Sequence, residues 1–186
     1  NWLKNWLSDR RQRVVINGWA SLGALVLSGV PQGNILGPIL FRIFINDIDD
    51  VVKPLIDIIC KFADDTKVAQ IVNSDQDRHK LQSCLDNLVK WSQDWGMEFN
   101  IPKCKVLHVG KKNNKFIYFM NGAKVTNVSQ EKDIGVITHE SLKPSTQCLS
   151  AAKNANFVLG QISRAFHYRD KITFLNLYKS YVRPHL

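Results

Sequence analysis

Apolar positions along the chain fall into two kinds of pattern, which together predict a mixed α+β architecture. Trp2, Leu3, Trp6 and Leu7 follow helical spacing at the start. Short β-type runs come next, at residues 14–16 and 24–27, with Gly18 and Gly23 marking turns between them. Residues 29–33 form a turn-rich connector in which Pro31 fixes its own φ and the glycines allow geometry closed to other residues. A helix follows with Leu36, Leu40, Ile43 and Ile48 on one face and Pro38 in its first turn. Residues 56–59 and 68–72 read as the two strands of a hairpin with Asp64 and Asp65 at its tip. The clearest helix spans residues 75–95, with Leu81, Leu85, Leu88 and Trp95 in step, Ser74 and Asp77 as a capping box, and Gly96 as its end. Residues 106–109, 116–119, 124–128 and 134–137 read as strands, and Asn121-Gly122 is a strong hairpin signal.

From residue 146 the pattern turns helical. Ala151, Ala155, Val158 or Leu159, and Ile162 make one stripe, while Ile172, Leu175, Tyr178 and Val182 make a second. Lys153, Arg164, Arg169, Lys171, Lys179 and Arg183 decorate this region. A soft boundary is expected near residues 139–144, separating an α+β part (1–138) from a basic helical part (139–186). The chain opens inside a helical pattern and closes without a stop signal, as a piece of a longer chain would.

Charge narrows the function. The 186 residues carry a formal net charge of +9, which favours a polyanionic partner. The apolar run at residues 35–48 includes Arg42, Asn46 and Asp47, so it is too short and polar to span a bilayer. No strongly amphipathic helix pairs a basic face with an exposed aromatic one, so no membrane partner is expected. The four cysteines are scattered without zinc spacing and read as reduced thiols of an intracellular protein, nuclear or cytoplasmic. Asp47, Asp49 and Asp50 read as a solvated helix end.

The chemistry centres on Asp64-Asp65. Adjacent carboxylates repel each other, and a hard divalent cation relieves that repulsion. Lone Asp-Asp pairs are more often ordinary solvated turns, so the surrounding residues decide. Phe62-Ala63-Asp64-Asp65 resembles the aromatic-x-Asp-Asp box of reverse transcriptases. Upstream, Ser28-Gly29-Val30-Pro31-Gln32-Gly33-Asn34-Ile35-Leu36-Gly37-Pro38-Ile39-Leu40-Phe41 resembles the S-G-V-P-Q-G-S-x-L-G-P-x-L-F signature of the same enzymes in non-LTR, LINE-like and jockey-like retrotransposons. Asn34 stands where that signature usually has Ser or Thr. Downstream, Trp91, Trp95, Phe99-Asn100 and Lys103-Cys104-Lys105 resemble the W…F-N-x-x-K-C-K segment, and the stretch at 131–136 is similar to the one before the thumb.

This resemblance implies an RNA-directed DNA polymerase using Mg²⁺, with Mn²⁺ as a substitute, an RNA template, a DNA primer and dNTPs. The implied fold is a polymerase palm, an antiparallel sheet backed by helices, over residues 1–138, then a truncated helical thumb over 139–186, with the fingers absent. The implied roles are metal binding and catalysis for Asp64 and Asp65, and protonation of pyrophosphate for Lys103. Phe62 and Ala63 would meet the primer end and the incoming nucleotide, and Gln32 and Gly33 would line the nucleotide pocket. Lys153, Arg164, Lys171 and Lys179 would grip duplex phosphates. The family uses a further carboxylate upstream, within an x-x-D-x-x-x-A-F-D segment, and nothing before Ser28 fits it. The chain alone is therefore expected to be inactive. A second class stays open: a non-catalytic nucleic-acid-binding remnant of a decayed or co-opted element.

Overall fold

A computed structural model describes every residue except Asn1, Lys112 and Arg169. The chain divides into two compact units, Asn1–Ile71 and Val72–Leu186.

In the first unit, helix α1 (Trp2–Leu7) forms on the expected spacing, with Trp2 and Trp6 stacked at 5.9 Å. Strands β1 (Arg11–Gln12), β2 (Val15–Ile16), β3 (Trp19–Ala20) and β4 (Ala24–Leu25) follow. β2 pairs antiparallel with β3, and β1 with β4, so one hairpin is nested inside another. The inner turn places Asn17 and Gly18 at φ 50° and 83°, the left-handed geometry that a two-residue hairpin requires. Helix α2 (Leu36–Phe44) begins as the sequence indicates but does not reach Ile48. The backbone leaves helical geometry at Ile45 (φ −90°, ψ 8°), and Ile48 opens a separate short helix, α3 (Ile48–Val52). Ile45, Ile48, Val52 and Ile56 are the buried apolar residues of this unit. Each such burial contributes about 1.5–3 kcal/mol, which holds α3 and the residues on either side of it. Strands β5 (Ile58–Phe62) and β6 (Asp65–Ala69) then form an antiparallel ladder from Ile58↔Ala69 to Phe62↔Asp65.

In the second unit, helix α4 (Asp75–Asp94) has the reciprocal cap that Ser74 and Asp77 predict. The Ser74 hydroxyl accepts the Asp77 N–H at 3.2 Å, and the Asp77 carboxylate accepts the Ser74 N–H at 3.0 Å. The hydrogen bond from the Ser74 hydroxyl is the main reason the Asp77 carboxyl lies below its ordinary range. Cys84, Leu85, Leu88 and Trp91 form the helix's buried face, and burial pushes the Cys84 thiol up to about 11. After a 3-10 turn at Ile101–Lys103 come β7 (Lys105–Leu107), β8 (Phe119–Met120), β9 (Ala123–Lys124) and β10 (Thr126–Val128). The Asn121-Gly122 turn joins β8 to β9 as expected, with both residues at positive φ. Gln82 of α4 clamps β8: its amide donates to the Phe119 carbonyl at 2.8 Å and accepts the Phe119 N–H at 3.0 Å. β10 leaves the hairpin and pairs in parallel with β7.

Of residues 134–137, read as a strand, only Val136 and Ile137 belong to one. Ile134 and Gly135, at φ 45° and 86°, are the turn between β11 (Gln130–Asp133) and β12 (Val136–His139). Helix α5 (Ser145–Ala165) buries Ala155 and Ile162, which meet Val182 from the π-helical turn Tyr178–Val182 that follows α6 (Lys171–Leu177). Ile172 and Leu175, assigned to the same stripe as Val182, are exposed, because α6 gives way to the wider turn at Tyr178.

The resulting class is mixed α and β with small sheets and helices. The single antiparallel sheet of the sequence reading is not formed among the described residues. Six two-stranded ladders take its place, and the β7–β10 pair is parallel. Four of them close through two-residue turns, so the chain pairs with its own neighbour before a longer-range partner can add.

Candidate functional site

The β5–β6 hairpin sets the acidic pair. Its loop is Ala63-Asp64, with Ala63 at φ 52°, a conformation that favours glycine. Asp64 lies in the turn, and Asp65 opens the returning strand opposite Phe62. Side chains alternate across the ladder. Ile58, Cys60 and Phe62 of β5, with Asp65, Lys67 and Ala69 of β6, are exposed. Ile59, Lys61, Thr66 and Val68 occupy the covered face. Phe62 is 61% exposed and flanks the acidic turn. The side chains of Asp64 and Asp65 form no ion pair or hydrogen bond among the described residues.

The covered face is anchored by a residue that sequence reading passed over. The Lys61 ammonium lies 2.6 Å from Asp49 of α3 and donates to the carbonyls of Ile45 and Asn46 at 3.2 and 3.4 Å. Asp49 also pairs with Lys53 at 3.2 Å. The hydrogen bond from Lys61 holds the Asp49 carboxyl below its ordinary range, against a smaller opposing effect of burial. Asp49 is thus a bonded residue and not part of a merely solvated helix end. Its signal in the sequence was only the coincidence of one acid and one base on different elements.

The connector is equally constructed. Arg10 donates from Nη2 to the Gly29 carbonyl at 2.7 Å and from Nε to the Leu7 carbonyl at 3.2 Å. Gln32 and Gly33 form an exposed turn, with Gly33 at φ 76°. Asn34 donates to the Pro31 carbonyl at 2.5 Å and accepts the Gly37 N–H at 2.6 Å. A small polar residue is therefore required there to satisfy a free N–H at the start of α2.

Lys103 lies in the second unit, exposed, at the end of the 3-10 turn. Lys153 and Arg164 are exposed on α5. Their separation brings them back to one face, about 16 Å apart along the axis. Lys171 and Lys179 are exposed on α6 and the π-helical turn, and Arg169 lies outside the described residues.

Two adjacent, exposed carboxylates are hard oxygen donors. They fit an ion such as Mg²⁺, which takes one or two carboxylates and completes its shell with water and substrate phosphates. Among the described residues, no group of three or more His, Cys, Asp or Glu side chains is gathered to hold a metal ion. No helix of the described residues is long and apolar enough to cross a membrane.

The family model described as reverse transcriptase (RNA-dependent DNA polymerase) matches residues 1–174. Curated relatives include the RNA-directed DNA polymerase from mobile element jockey of Drosophila melanogaster, 26% identical across 98% of this chain, and that of Drosophila funebris, 27% identical across 99%. The probable RNA-directed DNA polymerase from transposon BS of Drosophila melanogaster is 30% identical across 54% of the chain. The chain spans 21% of the length of either jockey polymerase. No solved structure matches significantly. With ordered boxes along the sequence and a family match over nearly its whole length, the chain belongs to the reverse transcriptase (RNA-dependent DNA polymerase) family.

Proposed function

We propose that this chain is the palm-and-thumb part of a retrotransposon polymerase that copies RNA into DNA by nucleotidyl transfer. The observation that carries the reading is the hairpin turn, where Asp64 and Asp65 stand adjacent, exposed and unpaired among the described residues beside Phe62. Asp64 is the principal metal-binding carboxylate and Asp65 its partner. Mg²⁺, or Mn²⁺ in its place, would there supply charge neutralisation at the reacting phosphates and activation of the primer 3′-hydroxyl in a two-metal arrangement.

The remaining roles belong to the chain's own side chains. Phe62 packs against the primer end, and Ala63 leaves room beside the incoming dNTP. Gln32 and Gly33 line the nucleotide and template pocket, where a glycine lets backbone approach a sugar or base closely. Lys103 delivers a proton to the departing pyrophosphate. Lys153, Arg164, Lys171 and Lys179 hold the phosphates of the RNA template and DNA primer without reading sequence, so binding weakens with salt. The functional division runs between residues 138 and 139, with palm before and thumb after. The further carboxylate that the family uses has no counterpart before Ser28, so on this reading the chain by itself does not extend a primer and activity resides in the longer parent.

Primer extension on an RNA template with Mg²⁺ tests this. The parent protein is expected to synthesise DNA, its Asp64→Asn variant to lose synthesis, and the present chain alone to show none. A folded parent that binds duplex but never extends a primer would leave the non-catalytic nucleic-acid-binding remnant as the correct account.

A further inference from the structure

We propose that Lys61 is a positioning residue that registers the Asp64-Asp65 turn on the end of the helix following the Gln32-Gly33 connector. The proposal rests on the catalytic reading of that turn given above. Helix α2 ends at Phe44, and the chain leaves helical geometry at Ile45, so the Ile45 and Asn46 carbonyls stand just past its last turn. The Lys61 ammonium has three donors and meets three acceptors there: the Ile45 and Asn46 carbonyls and the Asp49 carboxylate. The side chains of Lys61 and Asp49 are only 20% and 23% exposed, so the contact is shielded compared with a surface ion pair.

Geometry carries the effect to the turn. Lys61 pairs across the ladder with Thr66, one step from the Phe62↔Asp65 pair that closes it. Alternation sends the Lys61 side chain to the covered face and those of Phe62 and Asp65 to the exposed face. Pinning Lys61 therefore fixes the height and tilt of the acidic turn relative to α2 and α3 without touching substrate. A hairpin with two short strands is marginal alone and needs such a hold. Without it, the carboxylates lose their fixed place relative to the connector, and misplacement on the order of 1 Å costs up to about a hundredfold in rate.

The test uses the parent polymerase and its Lys61→Met, Lys61→Arg and Asp49→Asn variants. Two readouts are taken: the kcat, dNTP KM and Mg²⁺ half-saturation for single-nucleotide addition, and amide hydrogen exchange along the chain. Lys61→Met is expected to lower kcat by roughly tenfold to a hundredfold and to raise the Mg²⁺ requirement, with primer-template affinity unchanged. Lys61→Arg is expected to recover most of the loss, and Lys61→Met with Asp49→Asn together to cost less than the sum of the two. Amide exchange should quicken in residues 58–69 and not elsewhere. A Lys61→Met enzyme within about twofold of the parent in kcat and Mg²⁺ requirement overturns the proposal. So does faster exchange spread evenly over the chain, which marks a general loss of stability. A parent that is itself inactive overturns the catalytic reading instead, and the exchange pattern then decides alone whether Lys61 registers the hairpin.

Discussion

Asn34 accepts the backbone N–H of Gly37 at 2.6 Å, and that bond holds the start of α2 against the connector. A Cβ on Gly37 would be driven against the Pro31 carbonyl oxygen, so the position tolerates no side chain without backbone movement. Gly37→Ala is expected to destabilise the protein by about 1–3 kcal/mol, the usual cost of overpacking. Asn34→Ala is expected to cost about 1 kcal/mol, with Asn34→Ser recovering much of it through its hydroxyl. Urea unfolding midpoints measure both.

Arg10 spans two separated pieces of chain, the end of α1 and Gly29. Arg10→Lys keeps the charge but cannot reproduce the guanidinium fork. Its expected cost is about 1 kcal/mol, with faster amide exchange at residues 29–33. Unchanged exchange there would show that the connector is held by its own turns.

Ile134 is a β-branched residue at φ 45°, 68% exposed, followed by Gly135 at φ 86°. Left-handed backbone costs an L-residue about 1–2 kcal/mol, and Asn bears it best apart from glycine. Ile134→Asn creates an Asn-Gly turn and is expected to raise the melting temperature. A fall would mean that Ile134 makes a compensating contact worth more than the strain.

The Asp49–Lys61 contact carries a pH signature. Lys61 lowers the folded carboxyl pKa of Asp49, so its stabilising contribution is complete above the ordinary carboxylate range. That contribution is lost as pH falls through the depressed folded value. Protection of the residue 58–69 amides should hold from neutral pH to about pH 5 and fall below about pH 4. In Asp49→Asn the acid-dependent step attributable to this carboxylate should vanish.

Local signals made much of the fold legible. Ser74 with Asp77 marked a helix start and Asn121-Gly122 marked a turn, because each encodes its own backbone geometry, while the apolar runs on either side of Asp64-Asp65 marked a hairpin whose loop is Ala63-Asp64. Ile134 misled because an apolar β-branched residue reads as strand, while its glycine neighbour makes the turn. Its partner strand, Gln130–Asp133, has no apolar alternation to announce it. The parallel β7–β10 pair joins segments separated by a whole hairpin, and no local pattern carries that register. Motifs drew attention to Phe62, Asp64 and Asp65, which share one hairpin, but not to the lysine and aspartate that hold the hairpin's covered face. An ion pair between elements depends on packing and not on spacing.

Binding of Mn²⁺ to the parent polymerase on a primer-template, followed by electron paramagnetic resonance, tests the central claim most directly. Asp64→Asn is expected to weaken binding strongly and Asp65→Asn to a lesser degree, while duplex affinity stays unchanged. Mn²⁺ bound equally well by the Asp64→Asn protein would contradict the assignment of this turn as the metal-holding centre.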